Sequence, residues 1–194
     1  MPDLPTTARG AATSRRILDA ARGEFAERGI AGARIDRITA TARTNKAQVY
    51  GYFGSKEGLF EAVLADCRAQ GETVPFDAGD LAGWAVGLYD AHLRNRDLFR
   101  LMAWARLEQR QAGFLLSDGD TAPKIKAVAD AQAAGHLRPG NPADLLLMVF
   151  SMASAWSPFG GIYAATADEP AADHDRRRAM LRATVERAVS PLPR

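Results

Sequence analysis

Lys46, Gln48, Tyr50 and Tyr52 alternate with apolar or small residues in the run NKAQVYGYF, and Lys56 follows a Gly-Ser step. Ammonium, amide and phenol groups so closely spaced offer charge and hydrogen bonds rather than proton-transfer chemistry. Gln matches the edge of adenine in a bidentate pair, Lys suits guanine or phosphate, and the major groove of B-DNA accepts an α-helix. A rigid helix of about two turns exposing these groups points to duplex DNA as its partner. Asn45 is a good N-cap for that helix, and Gln48 is placed to reach back in a capping-box exchange. The spacing predicts a helix over 46–52 that buries Ala47 and either Val49 or Tyr50, and presents Lys46, Gln48 and Tyr52 outward.

Other elements must hold this segment still. Ile35, Ile38 and Ala42 share one face of a short helix over 35–42, with Thr39 beside them, and Arg43 and Thr44 leave the pattern as a tight turn. Upstream, a helix capped by Thr13 or Ser14 buries Ile17, Leu18, Ala21, Phe25 and Ala26, and Gly29 ends it. Downstream, Ser55 caps a fourth helix through Leu59, Phe60, Val63 and Leu64 to about Gln70. Lys56 sits in its first turn, where free backbone N–H groups favour a phosphate. Residues 1–12 hold two prolines and small polar residues and read as a disordered arm, with Arg9, Arg15 and Arg16 available to lie along DNA. The first 60 residues carry ten Lys and Arg against six Asp and Glu, while the whole chain nets only +2. The positive excess therefore lies with the candidate groove-reading segment.

Four linked segments, ILDAARGEFAERG, GIAGARIDRIT, NKAQVYGYF and GSKEGLFEAVL, make the chain over about 13–65 resemble the tetracycline-repressor (TetR) family of bacterial transcription regulators. The combination of Tyr50, Tyr52, Phe53, Ser55, Lys56, Glu57, Leu59 and Phe60 is its most specific part. The resemblance implies an all-α protein: an N-terminal three-helix helix-turn-helix head and a C-terminal helical ligand-binding and dimerisation body. On this reading 13–72 form the head, with the motif at 34–53, and 73–194 form the body. Arg34, Asn45, Lys46, Gln48, Tyr50, Tyr52 and Lys56 are the expected DNA contacts. Two positions depart from the family pattern. Arg43 and Thr44 stand where a Gly and an apolar residue are usual, and Arg34 replaces a hydroxyl N-cap. A left-handed Arg43 would cost roughly 1 kcal/mol.

Past a break at 71–79 the chain remains helical. Asp80 caps a helix with Leu81, Trp84 and Leu88 on one side; another starts near Asp97 with Leu98, Leu101, Met102, Ala105 and Leu107 giving wide apolar coverage. A turn is expected at 117–123 and a milder helix at 122–134. Asn141, Pro142 and Asp144 start a helix, about 145–156, that is apolar nearly all round. The last helix, about 173–189, carries Met180, Leu181, Thr184, Val185, Ala188 and Val189 in one stripe. Such a pair suits packing against a second copy, so a homodimer through the last two helices is expected, as in the resembling family. Two heads about one DNA turn apart would then read a pseudo-palindromic double-stranded operator. The resemblance also implies a largely apolar effector cavity in the body. Trp84, Phe99, Met102, Trp104, Met148, Met152 and Trp156 are candidates to line it, with His92, Arg106, Glu108 and Ser151 as conceivable polar anchors.

Chemistry of other kinds has little foothold. His92, His136 and His174 are far apart, no glycine-rich phosphate loop or nucleophile elbow occurs, and the single Cys67 excludes an internal disulfide. No cofactor and no metal site are expected. No apolar run is long enough to span a bilayer, and the N-terminal MPDLPTTARGAATSRR lacks an apolar signal core. A cytoplasmic protein without membrane contact is expected. The expectation is therefore a dimeric, ligand-responsive DNA-binding regulator, most readily a repressor, and not an enzyme. A helix-turn-helix protein without an effector is the alternative, and a small all-helical enzyme the remote one.

Overall fold

A computed structural model describes residues 7–71, 74–108 and 121–191. Among these the chain is all-helical, with nine helices: α1 (Ala8–Gly32), α2 (Ile35–Ala42), α3 (Lys46–Phe53), α4 (Lys56–Gln70), α5 (Leu81–Arg94), α6 (Arg96–Glu108), α7 (Thr121–Ala133), α8 (Pro142–Ala153) and α9 (Ala171–Val189). Most of the turn expected at 117–123 lies outside the described residues, as do the first six residues of the expected arm.

Helix α1 begins at Ala8, earlier than its expected cap. Thr7 caps it, its hydroxyl accepting from the Gly10 N–H at 3.2 Å. Thr13 and Ser14 are instead buried inside the helix, and the Thr13 hydroxyl is satisfied by donating to the Arg9 carbonyl at 3.0 Å. Residues 8–12 are thus helix rather than disordered arm. The Ala-rich start favours helix strongly, and the prolines lie upstream of it. At the other end Gly29 breaks the helix in a left-handed conformation (φ 69°, ψ −178°).

The chain forms two compact units. The first comprises residues 1–71 together with 96–113. Its core draws Ile17, Ala21 and Phe25 from α1, Ile35, Ile38 and Ala42 from α2, and Val49 and Phe53 from α3. Leu59, Phe60, Val63 and Cys67 come from α4, and Leu101 and Ala105 from α6. Phe25 and Phe60 meet edge to face with centroids 5.2 Å apart. Polar bonds pin the helices around this core. Arg15 forks onto both oxygens of Asp66 at 2.7 and 2.8 Å, joining α1 to α4. The Arg37 side chain and the Arg34 N–H both donate to the Glu24 carboxylate, joining α1 to α2.

The inclusion of α6 in this unit departs from a division at residue 72. Three bonds explain it. The Arg100 Nε and the Trp104 Nε1 donate to the Ala26 carbonyl at 2.7 and 3.3 Å, and the Ala31 N–H donates to Glu108 at 2.8 Å. They serve backbone groups that the break at Gly29 would otherwise leave without partners.

The second unit comprises residues 72–95 and 114–194. Leu81, Trp84, Ala85 and Tyr89 of α5 pack with Val128 of α7, Leu146, Val149 and Ala153 of α8, and Leu181, Val185 and Val189 of α9. Asp80 caps α5 and Asn141 caps α8 ahead of Pro142, as their spacing predicts. A polar cluster is set into this core. The Tyr89 hydroxyl and the His174 Nδ1 are 2.7 Å apart, Arg177 reaches the same hydroxyl at 3.5 Å, and Arg177 also donates to Glu169 at 2.7 Å. The Thr166 N–H and the Arg177 guanidinium, donating to Glu169, hold its carboxyl down to about 2.

Candidate nucleic-acid interface

The helix-turn-helix is held by local bonds at each joint. Arg43 closes α2 in the left-handed conformation (φ 50°, ψ 55°), and the Thr44 N–H donates to the Thr39 carbonyl at 3.0 Å. Asn45 then caps α3, its side chain accepting from the Gln48 N–H at 2.9 Å. The reciprocal half of the expected capping box does not form. The Gln48 carbonyl oxygen accepts from the Thr44 hydroxyl instead, which leaves its amide N–H groups free of that bond. Lys46 pairs with Asp36 at 2.7 Å, tying the start of α3 to α2, and this partner raises the affinity of the ammonium for its proton.

Only Val49 and Phe53 of α3 are buried. Ala47, expected inside, is exposed, and so is Tyr50 at 45%. Tyr52, expected on the outer face, is half-buried with its ring edge to face on Phe53 at 6.2 Å. On a helix of eight residues two buried anchors one turn apart fix the rotation, and these belong to the 49/53 pair. The exposed surface is therefore Lys46, Ala47, Gln48, Tyr50 and Gly51. Arg34, the N-cap of α2, is exposed and makes no side-chain capping bond. Lys56 lies in the first turn of α4, its ammonium 3.5 Å from the Ala33 carbonyl; Ser55 caps that helix by accepting from the Gly58 N–H at 2.9 Å. Arg34, Asn45, Lys46, Gln48, Tyr50 and Lys56 thus all lie on α2, α3 and α4 of one unit.

The bacterial regulatory protein model of the tetR family matches residues 17–63, and a tetracyclin repressor-like C-terminal domain model matches residues 80–187. The HTH-type transcriptional repressor SCO4008 of Streptomyces coelicolor is 42% identical over 149 residues, 74% of this chain and 77% of that protein. The chain belongs to the TetR family. The HTH-type transcriptional repressor NicS of Pseudomonas putida is 33% identical over 105 residues, half of each chain. The crystal structure of SCO4942 from Streptomyces coelicolor superposes with a TM-score of 0.76 at 40% identity, covering 91% of this chain and 98% of that one. A TetR-family regulator from Marinobacter aquaeolei shares the fold at 17% identity, with a TM-score of 0.64 over 93% of this chain and 97% of that one. As a TetR-family member with this head, the protein is a DNA-binding regulator.

The candidate effector-lining residues are divided between the two units. Phe99, Met102 and Trp104 lie on α6 in the first. Trp104 is taken up by α1, its indole N–H on the Ala26 carbonyl and its ring against Gly29, where an added Cβ would lie 2.8 Å from Cε3. Trp84, Met148, Met152 and Trp156 lie in the second unit. Trp84 packs edge to face on Phe76 at 5.1 Å and Trp156 on Tyr89 at 5.8 Å, while Met148 is 60% exposed. Of the conceivable polar anchors, Glu108 is bonded to the Ala31 N–H and Ser151 to the Leu147 carbonyl. His92 is buried, which holds its imidazole down to about 4, with a bond to the Ala153 backbone working the other way. Residue spacing had no means of singling out His174 or Ser154. Both are buried, and the His174 Nε2 and the Ser154 hydroxyl have no hydrogen-bond partner among the described residues. No helix among the described residues is long and apolar enough to cross a membrane.

Proposed function

We propose that the protein is a homodimeric cytoplasmic repressor that grips a pseudo-palindromic operator with two copies of α3 and releases it when a small, largely apolar effector enters the C-terminal domain. One observation carries the DNA-reading part: α3 is anchored by Val49 and Phe53 alone, leaving Lys46, Gln48 and Tyr50 on a rigid exposed surface. Gln48 reads a base edge with its amide. Arg34, Asn45, Lys46, Tyr50, Tyr52 and Lys56 position the head on phosphates and groove walls. The names of SCO4008 and NicS support repression as the sense of the switch.

Dimerisation is supported by exposed apolar groups on two helices that pack side by side. Leu147 and Met148 of α8 are 43% and 60% exposed, and Met180 of α9 is 62% exposed. Ser151 of α8 and Ala179 of α9 are exposed as well, small residues that let helices approach closely. Met148 accordingly belongs with this face in our reading rather than with an effector cavity.

For the effector, Trp84, Met152 and Trp156 supply apolar walls and the unpaired His174 Nε2 and Ser154 hydroxyl supply polar anchors. Phe99, Met102 and Trp104 belong to the first unit and are not assigned to this site. A ligand acting as an efficient switch must favour the released form by roughly 10⁴-fold. It would do so by tilting α4 and moving the heads out of register.

The reading is tested with purified protein and a duplex spanning the DNA upstream of its own coding sequence. A dimer by light scattering, a protected footprint with two-fold symmetry, and a small molecule that raises the thermal midpoint and dissolves the complex are expected. Protein that ignores this and every other duplex at low salt overturns the DNA-reading part. A symmetric footprint that no small molecule releases favours the effector-free alternative.

A further inference from the structure

Six described residues have positive φ: Gly29, Gly54, Gly135, Gly140, Gly161 and Arg43. Five are glycine, the residue without a Cβ to clash in that region. Arg43 alone keeps a full side chain there, at φ 50° and ψ 55°, in the turn between α2 and α3. A bulky residue in the left-handed well persists where something outside local energetics retains it, and such outliers concentrate at functional positions. Asn would tolerate the same backbone more readily and Gly would do so without strain.

Nothing among the described residues accounts for the arginine. Its side chain is exposed, and among the described residues no carboxylate or carbonyl pairs with its guanidinium. Arg37, by contrast, closes on Glu24 and on the Gly32 carbonyl. Arg43 is therefore a charge held in reserve, two residues before the N-cap of α3.

Its place on α2 adds a geometric argument. Arg34 is the N-cap of this helix and Arg43 its C-cap, and both are exposed. At about 1.5 Å per residue the two caps stand on the order of 13 Å apart, and the major groove is about 12 Å wide. If α3 enters the groove with α2 lying across it, the exposed arginines at the two ends of α2 are spaced to reach its two walls.

We propose that Arg43 is a phosphate-contacting residue of the DNA interface, its strained backbone retained because the guanidinium closes on the duplex backbone. This rests on the reading of α3 as the groove-entering helix. The contact is to phosphate, so it adds affinity without sequence information.

The test sets stability against binding. Arg43→Gly and Arg43→Asn relieve the strain, so their thermal midpoints should stay level or rise. Arg43→Lys keeps charge and strain alike. Binding is measured as a function of salt to the duplex upstream of the coding sequence and to a random duplex of equal length. The Gly and Asn variants should bind both duplexes several-fold more weakly, with the log–log salt slope reduced by about 1 per subunit, and the Lys variant should keep most of the slope. An unchanged slope in the Gly and Asn variants overturns the proposal, as does a loss confined to one duplex or one that tracks a lowered midpoint. Failure of the unsubstituted protein to bind either duplex would instead sink the DNA-reading function itself.

Discussion

Gln48 illustrates how much one side chain's partner matters. With its carbonyl oxygen occupied by the Thr44 hydroxyl, the amide presents N–H donors outward from a fixed position. Gln48→Ala should lose about 1–3 kcal/mol of discrimination between operator and altered sites while binding random DNA as before. Competition binding measures this, and equal losses on both DNAs would contradict the assigned role. His92 offers a second test at this scale. The unfolded chain takes up a proton near pH 6.5, but the buried ring does not until about 4. The folded state thus binds fewer protons between those values, and stability must fall as pH drops through the window, by roughly 3 kcal/mol at most. Thermal midpoints at pH 7 and 4.5 should separate in the native protein and draw together in His92→Gln.

Among the elements, α1 and α6 are joined most intimately at one glycine. A Cβ on Gly29 would stand 2.3 Å from Glu108 Oε1 and 2.8 Å from Trp104 Cε3, and the backbone there is left-handed. At ψ −178° Gly29 lies in a region kept almost wholly to glycine, so Gly29→Ala should cost on the order of 3 kcal/mol once the displaced contacts are added. Denaturant unfolding reads this directly, and a midpoint within error of the native one would show that the α1–α6 joint yields easily. The joint also explains why α6 belongs with the DNA-binding head although it follows α5 in the chain. Its Leu101 and Ala105 pattern was legible in the sequence as an apolar stripe. The surface it would cover was not, because a stripe of that kind fits any complementary face. The helix caps were readable for the opposite reason. Asn45, Ser55, Asp80 and Asn141 each accept from an N–H two or three residues on, a bond that needs nothing distant.

For the molecule as a whole, the outward apolar surface of α8 and α9 makes the strongest demand. Leu147, Met148 and Met180 together are poorly suited to water on a lone subunit. The double variant Met148→Glu with Met180→Glu should run as a monomer in light scattering with its helical content intact. Its operator affinity should fall by two orders of magnitude or more, because each head then binds alone without the gain from linked binding. A monomeric variant with undiminished affinity would detach DNA reading from dimerisation.

Sequence alone determined the helical class, the order of the head's segments and the caps of α3, α4, α5 and α8, because each depends on bonds within a few residues. Only the tertiary structure decided that α6 joins the head, that Val49 and Phe53 rather than Ala47 anchor α3, and that Tyr89 meets His174 across 85 positions of chain. Hydrophobic burial is non-directional, so a periodic stripe says that a face will be covered and leaves the partner to the packing of the whole.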